Sequence, residues 1–305
     1  VVPEPKGSGF PLLGIRSSTL TSLLVLLPTM IAVGVFVYAF IAWTGVISLT
    51  SSRFVPEYNF VGLQQYGKLW NTDRWQIAVN NVWLFSGLLI GASLAVGLLL
   101  AIFLDQKIRA ENVLRTIYLY PMAISFIVTG IAWKWLLDPS VGIEKLVRGW
   151  GFESFHFDWL NDPKKAIYTI VIAGFWQSSG FVMAVFLAGL RGVDSEIVKA
   201  ARIDGASMPR IYWSIIVPIL RPVFLSVMVV LLYQALRSFD LVVALTKGGP
   251  GFASDLPTTF MYNYTFSRFQ LAQGAASAMM ILLTVTAVVV PYLYSELRNE
   301  HAGAH

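Results

Sequence analysis

The sequence contains no cysteine among its 305 residues. Disulfides and thiolate metal centres are thereby excluded, although the absence does not name a compartment. Histidine is nearly as scarce: His156, His301 and His305 are the whole supply. His301 and His305 stand four apart near the C-terminal end, and two imidazoles there do not make a metal set. No Ser-His-Asp grouping can be assembled, so hydrolytic chemistry has no visible nucleophile. Charge is thin as well. Asp, Glu, Lys and Arg make up 13% of the chain, where a soluble domain carries about 25%. Nucleotide signatures are missing too. Gly62-Leu63-Gln64-Gln65-Tyr66-Gly67-Lys68 has the spacing of a phosphate loop. However, Leu69 follows where a metal-binding Ser or Thr belongs, and no strand-forming run precedes it. With no basic stripe or arginine-aromatic array, the net charge of +5 calls for no nucleic-acid partner.

What the chain does have is apolar length. Hydrophobic residues make up 56% of it, and its mean hydropathy is +0.66. Six stretches lie near Thr19–Trp43, Ala78–Leu104, Val113–Leu137, Ala166–Leu190, Pro222–Leu245 and Gln273–Tyr294. Each is long enough to cross a bilayer as a helix, for which about 20 residues suffice. In lipid the backbone must satisfy its own hydrogen bonds, so the spans are helical. The expected fold class is all-α: a polytopic membrane protein with six transmembrane helices. An even number of spans puts both termini on one side. Eleven Lys and Arg fall on that side and nine on the other, with Lys134 and Arg237 inside spans. The bias favours cytoplasmic termini only slightly. Residues 1–18 lack a long apolar core and read as a tail rather than a signal peptide. Segments 44–77 and 138–165 read as outer loops. Gly87 and Gly91 predict close helix packing in the second span.

Between the fourth and fifth spans lies a polar, small-residue segment, Asp194 to Pro222. It reads as two short helices with a break. Asp194 or Ser195 can cap the first through a short side-chain oxygen. Gly205 suits the left-handed turn that ends it. Ser207 can cap the second helix, and Pro209 fits its first turn, where no N–H is needed. Ala200, Ala201, Gly205 and Ala206 add little bulk, so the product is a compact knob able to dock into a groove on another protein.

The fifth span carries Arg237 and Asp240, which are costly within a membrane. Two readings stand side by side. The residues form a mutual i,i+3 pair facing the bundle interior, or they hydrogen-bond a polar solute in a wet cavity. Gln234 and Ser238, four apart, would add donors and acceptors.

The knob resembles the coupling loop of the permease subunits of bacterial ABC importers. That loop reads Glu-Ala-Ala, three residues, Gly, nine residues, Ile, one residue, Leu-Pro. Ala200-Ala201, Gly205, Ile215 and Pro218 keep the spacing; Lys199 replaces the glutamate and Val217 the leucine. A second set resembles the carbohydrate branch of these permeases: Phe239-Asp240, Leu245-Thr246, Gly248-Gly249-Pro250, Tyr262, Phe266 and Gly274-Ala275-Ala276-Ser277-Ala278. Phe103-Leu104-Asp105-Gln106, Arg115 to Pro121, Trp133 to Leu137 and Pro291 to Arg298 bring it nearest to glucose/mannose importer permeases, with α-glucoside permeases as neighbours.

This resemblance implies the ABC type I importer permease fold. Its parts would be a cytoplasmic tail at 1–18, a permease domain at 19–297 with its coupling loop at 191–221, and a cytoplasmic tail at 298–305. It implies ATPase-coupling contacts from Glu196, Lys199, Ala200, Ala201, Asp204, Gly205, Ala206 and Pro218. By likeness to the maltose member, sugar contacts fall on Gln177, Ser178, Phe181, Leu231, Gln234, Ala235, Ser238 and Asp240. Leu231 and Ala235 stand where that member has polar residues. No catalytic residue, metal or cofactor is expected in this chain; ATP and Mg would be used by two partner ATPase subunits. The other implied partners are a second permease subunit, an extracytoplasmic sugar-binding protein, the sugar and membrane lipid. The expected location is the bacterial cytoplasmic (inner) membrane, with both termini cytoplasmic. The rivals are an ion-coupled secondary transporter, which would show inverted repeats and interrupted helices, and an intramembrane enzyme, which needs a nucleophile or metal set.

Overall fold

The computed structural model describes residues 17–106 and 108–302, with side chains over 25–106 and 108–294. Most of the tail at 1–18, Lys107 and residues 303–305 lie outside the described residues, as do the His301 and His305 side chains. The chain divides into two units, residues 1–46 and 47–305. The first holds α1 (Ser17–Val33), a π-helical stretch (Gly34–Ala39) and the start of α2 (Phe40–Ser48). Its side chains from Val25 to Trp43 are exposed throughout. That apolar surface is what a bilayer would cover.

The second unit is helical. It contains α3 (Gln64–Trp70), α4 (Asp73–Asp105), α5 (Glu111–Leu119), α6 (Phe126–Leu137), α7 (Ile143–Gly149) and α8 (Ala166–Arg191). There follow α9 (Ser195–Ile203), α10 (Met208–Ile211), α11 (Val217–Ile219), α12 (Arg221–Leu236), α13 (Phe239–Leu245), α14 (Pro257–Tyr262) and α15 (Leu271–Ala302). Among the described residues the only strand-type pairing is an isolated bridge, Thr50 to Phe60. In the phosphate-loop-like stretch Gly62 and Leu63 form a turn and Gln64 to Lys68 lie in α3.

Among the described residues four helical segments are long and apolar enough to cross a membrane: Val25–Ser48, Asp73–Asp105, Ala166–Arg191 and Leu271–Tyr294. Two further helix pairs pass the same test together but are sharply bent. Glu111–Ala123 meets Phe126–Leu137 at 102°, and Met208–Ile219 meets Arg221–Leu236 at 68°. Counting each pair once gives six. The expected straight third span, Val113–Leu137, is therefore broken. Pro121 has no N–H to donate, and Ile124 and Ser125 are extended. Ser125 then caps α6, its Oγ accepting from the Val128 N–H. The expected fifth span, Pro222–Leu245, is also two pieces. It ends at Leu236, turns at Arg237-Ser238, and restarts as α13.

Small residues decide where helices meet. At Gly97 of α4 an added Cβ would press into Val182 of α8. At Gly180 it would collide with the Tyr118 carbonyl, and at Gly130 of α6 with Ala244. Gly87 and Gly91, expected to mark close packing, face nothing within 4 Å. The contact falls instead at Gly97, two to three turns further along α4. Two apolar clusters result. One joins Leu98, Leu104, Met183, Phe186, Leu187, Ile211, Ile216, Leu220 and Leu231. The other joins Phe85, Leu89, Ile170, Ala173, Ala235, Leu241, Val242 and Leu245.

Candidate functional site

The break between α5 and α6 opens space beside the middle of α8. The resulting cleft has a volume of about 390 Å³. Its walls are Met122 and Phe126 from the break, Gln177, Ser178 and Phe181 from α8, Val230, Tyr233 and Gln234 from α12, and Arg237 and Asp240 at the next turn. Five of the eight expected sugar contacts thus line one cavity: Gln177, Ser178, Phe181, Gln234 and Asp240. The other three do not. Leu231 and Ala235 are fully buried in the two apolar clusters. Ser238 is buried and its hydroxyl donates to the Gln234 carbonyl at 2.8 Å. α12 turns Leu231 and Ala235 toward α4 and α8 rather than the cleft.

The polar groups of the cleft are linked. Gln177 Nε2 donates to the Ile124 carbonyl at 2.6 Å, which satisfies an acceptor freed by the helix break. Gln177 Oε1 is buried without a partner. Gln234 Nε2 donates to Ser178 Oγ at 2.7 Å, and Ser178 donates onward to the Gly174 carbonyl at 2.8 Å. Arg237 and Asp240 form no ion pair among the described residues. The turn at Arg237-Ser238 removes the i,i+3 geometry that a continuous helix would have given them. The Arg237 guanidinium makes only a long hydrogen bond, 3.4 Å, to the Tyr233 hydroxyl. The cleft therefore presents one open cation, one open anion and the rings of Phe126, Phe181 and Tyr233, with the unpaired Gln177 oxygen buried in its wall. That set suits a polyhydroxylated solute, which donates and accepts hydrogen bonds and has apolar faces.

The knob follows directly from α8. Asp194 caps α9, its carboxylate accepting from the Glu196 N–H at 2.9 Å. Gly205 has φ +81°, and the Ala206 N–H bonds back to the Ala201 carbonyl at 3.0 Å. Ser207 holds the N-cap position of α10 without a side-chain bond, and Pro209 lies in its first turn. Glu196, Lys199, Ala200, Asp204, Gly205 and Pro218 are exposed, and Ala206 is half-buried. Ala201 is different: it is buried and anchors α9 to the apolar cluster of α4 and α8. Lys199 pairs with Glu196 at 2.7 Å. Ile203 and Trp213 stand out of the segment as exposed apolar side chains.

At the opposite end of α4 is a network that sequence reading missed. Arg74 is nearly buried and its Nε donates to Asp255 Oδ2 at 2.6 Å. Its Nη1 reaches Asn263 Oδ1 at 2.9 Å, and the Phe252 ring lies 4.3 Å from its guanidinium carbon. Thr259 donates to the same carboxylate. Asn81 donates to the carbonyls of Ala253 and Asp255, each at 3.0 Å. These bonds tie the 248–263 segment, which follows α13, to α4. Among the described residues no group of three or more His, Asp or Glu side chains could hold a metal ion.

Comparison with known proteins agrees with this architecture. The family described as binding-protein-dependent transport system inner membrane component matches residues 87–298. A probable ABC transporter permease protein of Pyrococcus horikoshii is 41% identical over 280 residues, covering 91% of this chain and 96% of that one. The xylose/arabinose import permease protein of Haloferax volcanii is 37% identical, covering 80% and 77%. The trehalose/maltose transport system permease protein of Thermococcus litoralis is 31% identical, covering 88% and 91%. Among solved structures, a chain of the bacterial alginate ABC transporter in complex with an alginate pentasaccharide-bound periplasmic protein superposes with a TM-score of 0.79. It covers 92% of this chain and 95% of that one at 19% identity, so that likeness is one of fold. The chain belongs to the binding-protein-dependent transport system inner membrane components, as a multi-pass ABC transporter permease with the type I importer fold.

Proposed function

We propose that this permease forms half of the pathway of an ATP-driven sugar importer. The solute is a neutral carbohydrate, with glucose or mannose the first candidates and α-glucosides the alternative. The observation that carries the reading is the mid-span cleft, where Gln177, Ser178, Gln234, Arg237 and Asp240 converge on the same helix, α8, that leads into the knob at 195–206. A volume of about 390 Å³ falls at the small end of ligand sites, about 300–1,000 Å³. The names of the xylose/arabinose and trehalose/maltose relatives support the carbohydrate class.

In this reading a second permease subunit closes the open side of the cleft. Two ATPase subunits, which use ATP and Mg, dock on the knob in the cytoplasm. A soluble binding protein delivers sugar outside the inner membrane, and both termini are cytoplasmic. ATP-loaded ATPases favour one arrangement of the spans over the other, and that difference in affinity shifts the population. The lining residues bind and orient the sugar; the chain itself performs no bond chemistry.

The test is a reconstituted complex with its binding protein, assayed for ATPase stimulation and uptake over glucose, mannose, xylose, arabinose, maltose and trehalose. Stimulation and concentrative uptake of at least one sugar are expected. Uptake that survives ATP depletion but collapses with an ion gradient would identify a secondary transporter instead.

A further inference from the structure

A second polar cleft lies along the same helix pair that walls the first. α6 and α13 are in close contact where Gly130 meets Leu241 and Ala244. Phe126 and Asp240, at one end of this pair, line the first cleft. At the other end, Lys134, Asp138, Asn161, Thr246, Lys247 and Pro250 help line a cleft of about 340 Å³. Phe126 to Lys134 is eight positions and Asp240 to Leu245 is five, so the clefts are offset by roughly 8–12 Å at 1.5 Å per residue.

The two clefts repeat one chemistry. The first offers a cation, a carboxylate and side-chain amides in Arg237, Asp240, Gln177 and Gln234. The second offers Lys134 and Lys247, Asp138 and Asn161. Neither lysine ammonium makes an ion pair or hydrogen bond among the described residues. Asp138 is engaged by the Ser140 N–H at 2.8 Å and by its hydroxyl at 2.5 Å. Those two bonds hold its carboxyl below the usual range, so it stays an acceptor. Asn161 donates to Asp158 at 2.7 Å, which leaves its carbonyl oxygen open.

The walls are fixed in advance. Phe155, Phe157 and Trp159 stack in sequence, with centroids 6.3 and 4.6 Å apart. The Phe157 N–H donates to the buried Glu144 carboxylate at 3.0 Å, and Glu144 pairs with Arg148 at 2.7 Å. This holds the segment that ends at Leu160 and Asn161. Lys247 has φ +56°, an uncommon conformation for a residue with a Cβ and one that clusters at ligand sites. Its N–H is held by the Val242 carbonyl at 2.9 Å.

We propose that this second cleft is a carbohydrate-binding subsite, which receives the hydroxyl groups of a sugar before or alongside the central cleft. The inference rests on the sugar-importer reading. In the proposed orientation the subsite faces outward, on the route from binding protein to central cleft. Lys134 and Lys247 donate to sugar oxygens, and Asp138 and the Asn161 carbonyl accept from sugar hydroxyls.

Because the chain has no cysteine, single reporters can test the two clefts separately. Pro139→Cys and Leu160→Cys report on the second cleft, and Val230→Cys reports on the central one. Each variant is assembled into the complete transporter in lipid nanodiscs. Maleimide labelling is timed with and without glucose, mannose, xylose, maltose and trehalose. A sugar that the transporter takes up should slow labelling at all three positions. Adding Lys134→Met with Lys247→Asn should raise the sugar needed for protection at Pro139→Cys about tenfold, as lost hydrogen bonds to charged groups predict. Protection at Val230→Cys should not move. Protection at Val230→Cys alone overturns the second subsite and leaves the importer reading standing. Protection of the second cleft that needs the binding protein but no sugar makes it a protein-docking surface and overturns the subsite too. Absence of protection at Val230→Cys, for a sugar the transporter imports, counts against the central cleft instead.

Discussion

Gln177 of α8 donates its side-chain amide to the backbone carbonyl of Ile124, 2.6 Å away. The bond spans 53 positions of sequence and joins the helix that carries the cleft to the break that opens it. A broken helix inside a membrane leaves backbone groups without water, and each needs a protein partner. Gln177 meets that need for Ile124, while its own Oε1 remains buried and unpaired. One side chain therefore supports the cleft wall and carries an unsatisfied acceptor within it.

Gln177→Leu should lower thermal stability of the assembled complex, because the Ile124 carbonyl loses its side-chain donor. The expected cost is about 1–3 kcal/mol. Gln177→Asn is one methylene shorter and should fall in the same range. A thermal-unfolding series on the purified complex reads this directly. Wild-type stability in the Leu variant would show that the carbonyl finds another donor.

Gly180→Ala should damage the same region through sterics. A Cβ there would run into the Tyr118 carbonyl, and backbone atoms cannot step aside as a flexible side chain can. Helices α5 and α8 must separate, which opens voids in a close-packed contact. Reduced yield of assembled complex is expected. By contrast Gly87→Ala, where nothing lies within 4 Å, should assemble normally.

Asp255→Ala should be among the most harmful single changes. It strands the Arg74 guanidinium, whose carboxylate partner is fully buried. Breaking one side of a buried pair costs about 3–5 kcal/mol. The double change Arg74→Met with Asp255→Leu removes both charges and should recover much of the loss. Proteolysis rates within 246–263 in the single and double variants would show whether the pair holds that segment to α4.

The contrast between these residues and the knob explains what sequence reading reaches. The long apolar runs are legible because crossing a bilayer needs about 20 of them together. The knob is legible because its determinants are local: Asp194 caps its own helix, and Gly205 turns its own chain. The breaks are less so. Residues on both sides of Ile124 are apolar, and only Pro121 and the capping Ser125 mark the interruption. Arg74 and Asp255 are 181 positions apart, and nothing local in either announces the other. Resemblance names Leu231, Ala235 and Ser238 by their place along the chain, but it carries no information on which way each side chain faces. It also passes over Tyr233 of α12, and over Met122 and Phe126, which flank the bend of the third span.

Gly205→Val should separate ATP hydrolysis from transport. At φ +81° a residue with a Cβ costs roughly 1–2 kcal/mol, and a β-branched one more. No neighbour crowds the position, so the effect is on the turn between α9 and α10 and not on packing. Gly205→Asn tolerates the left-handed region and should retain most uptake. Assembly, sugar-stimulated ATPase activity and uptake must be measured together. Full uptake by an assembled Val variant would show that the turn does not transmit the ATPase stroke.

Asp240→Asn and Arg237→Gln test whether the cleft is the sugar path. The two charges form no ion pair, so neither change strands the other residue. Each should therefore leave assembly and thermal unfolding near wild type. Uptake should fall about tenfold or more in each, since a lost hydrogen bond to a charged group is worth about 1.5–3 kcal/mol. The double variant sharpens the distinction. Coupling in unfolding should be within about 0.5 kcal/mol, as for residues without a shared contact. A larger coupling would mean that the two side chains pair in the assembled transporter, and the structural reading would regain its place. Normal uptake in both single variants, with complexes properly assembled, would remove the cleft from the transport path.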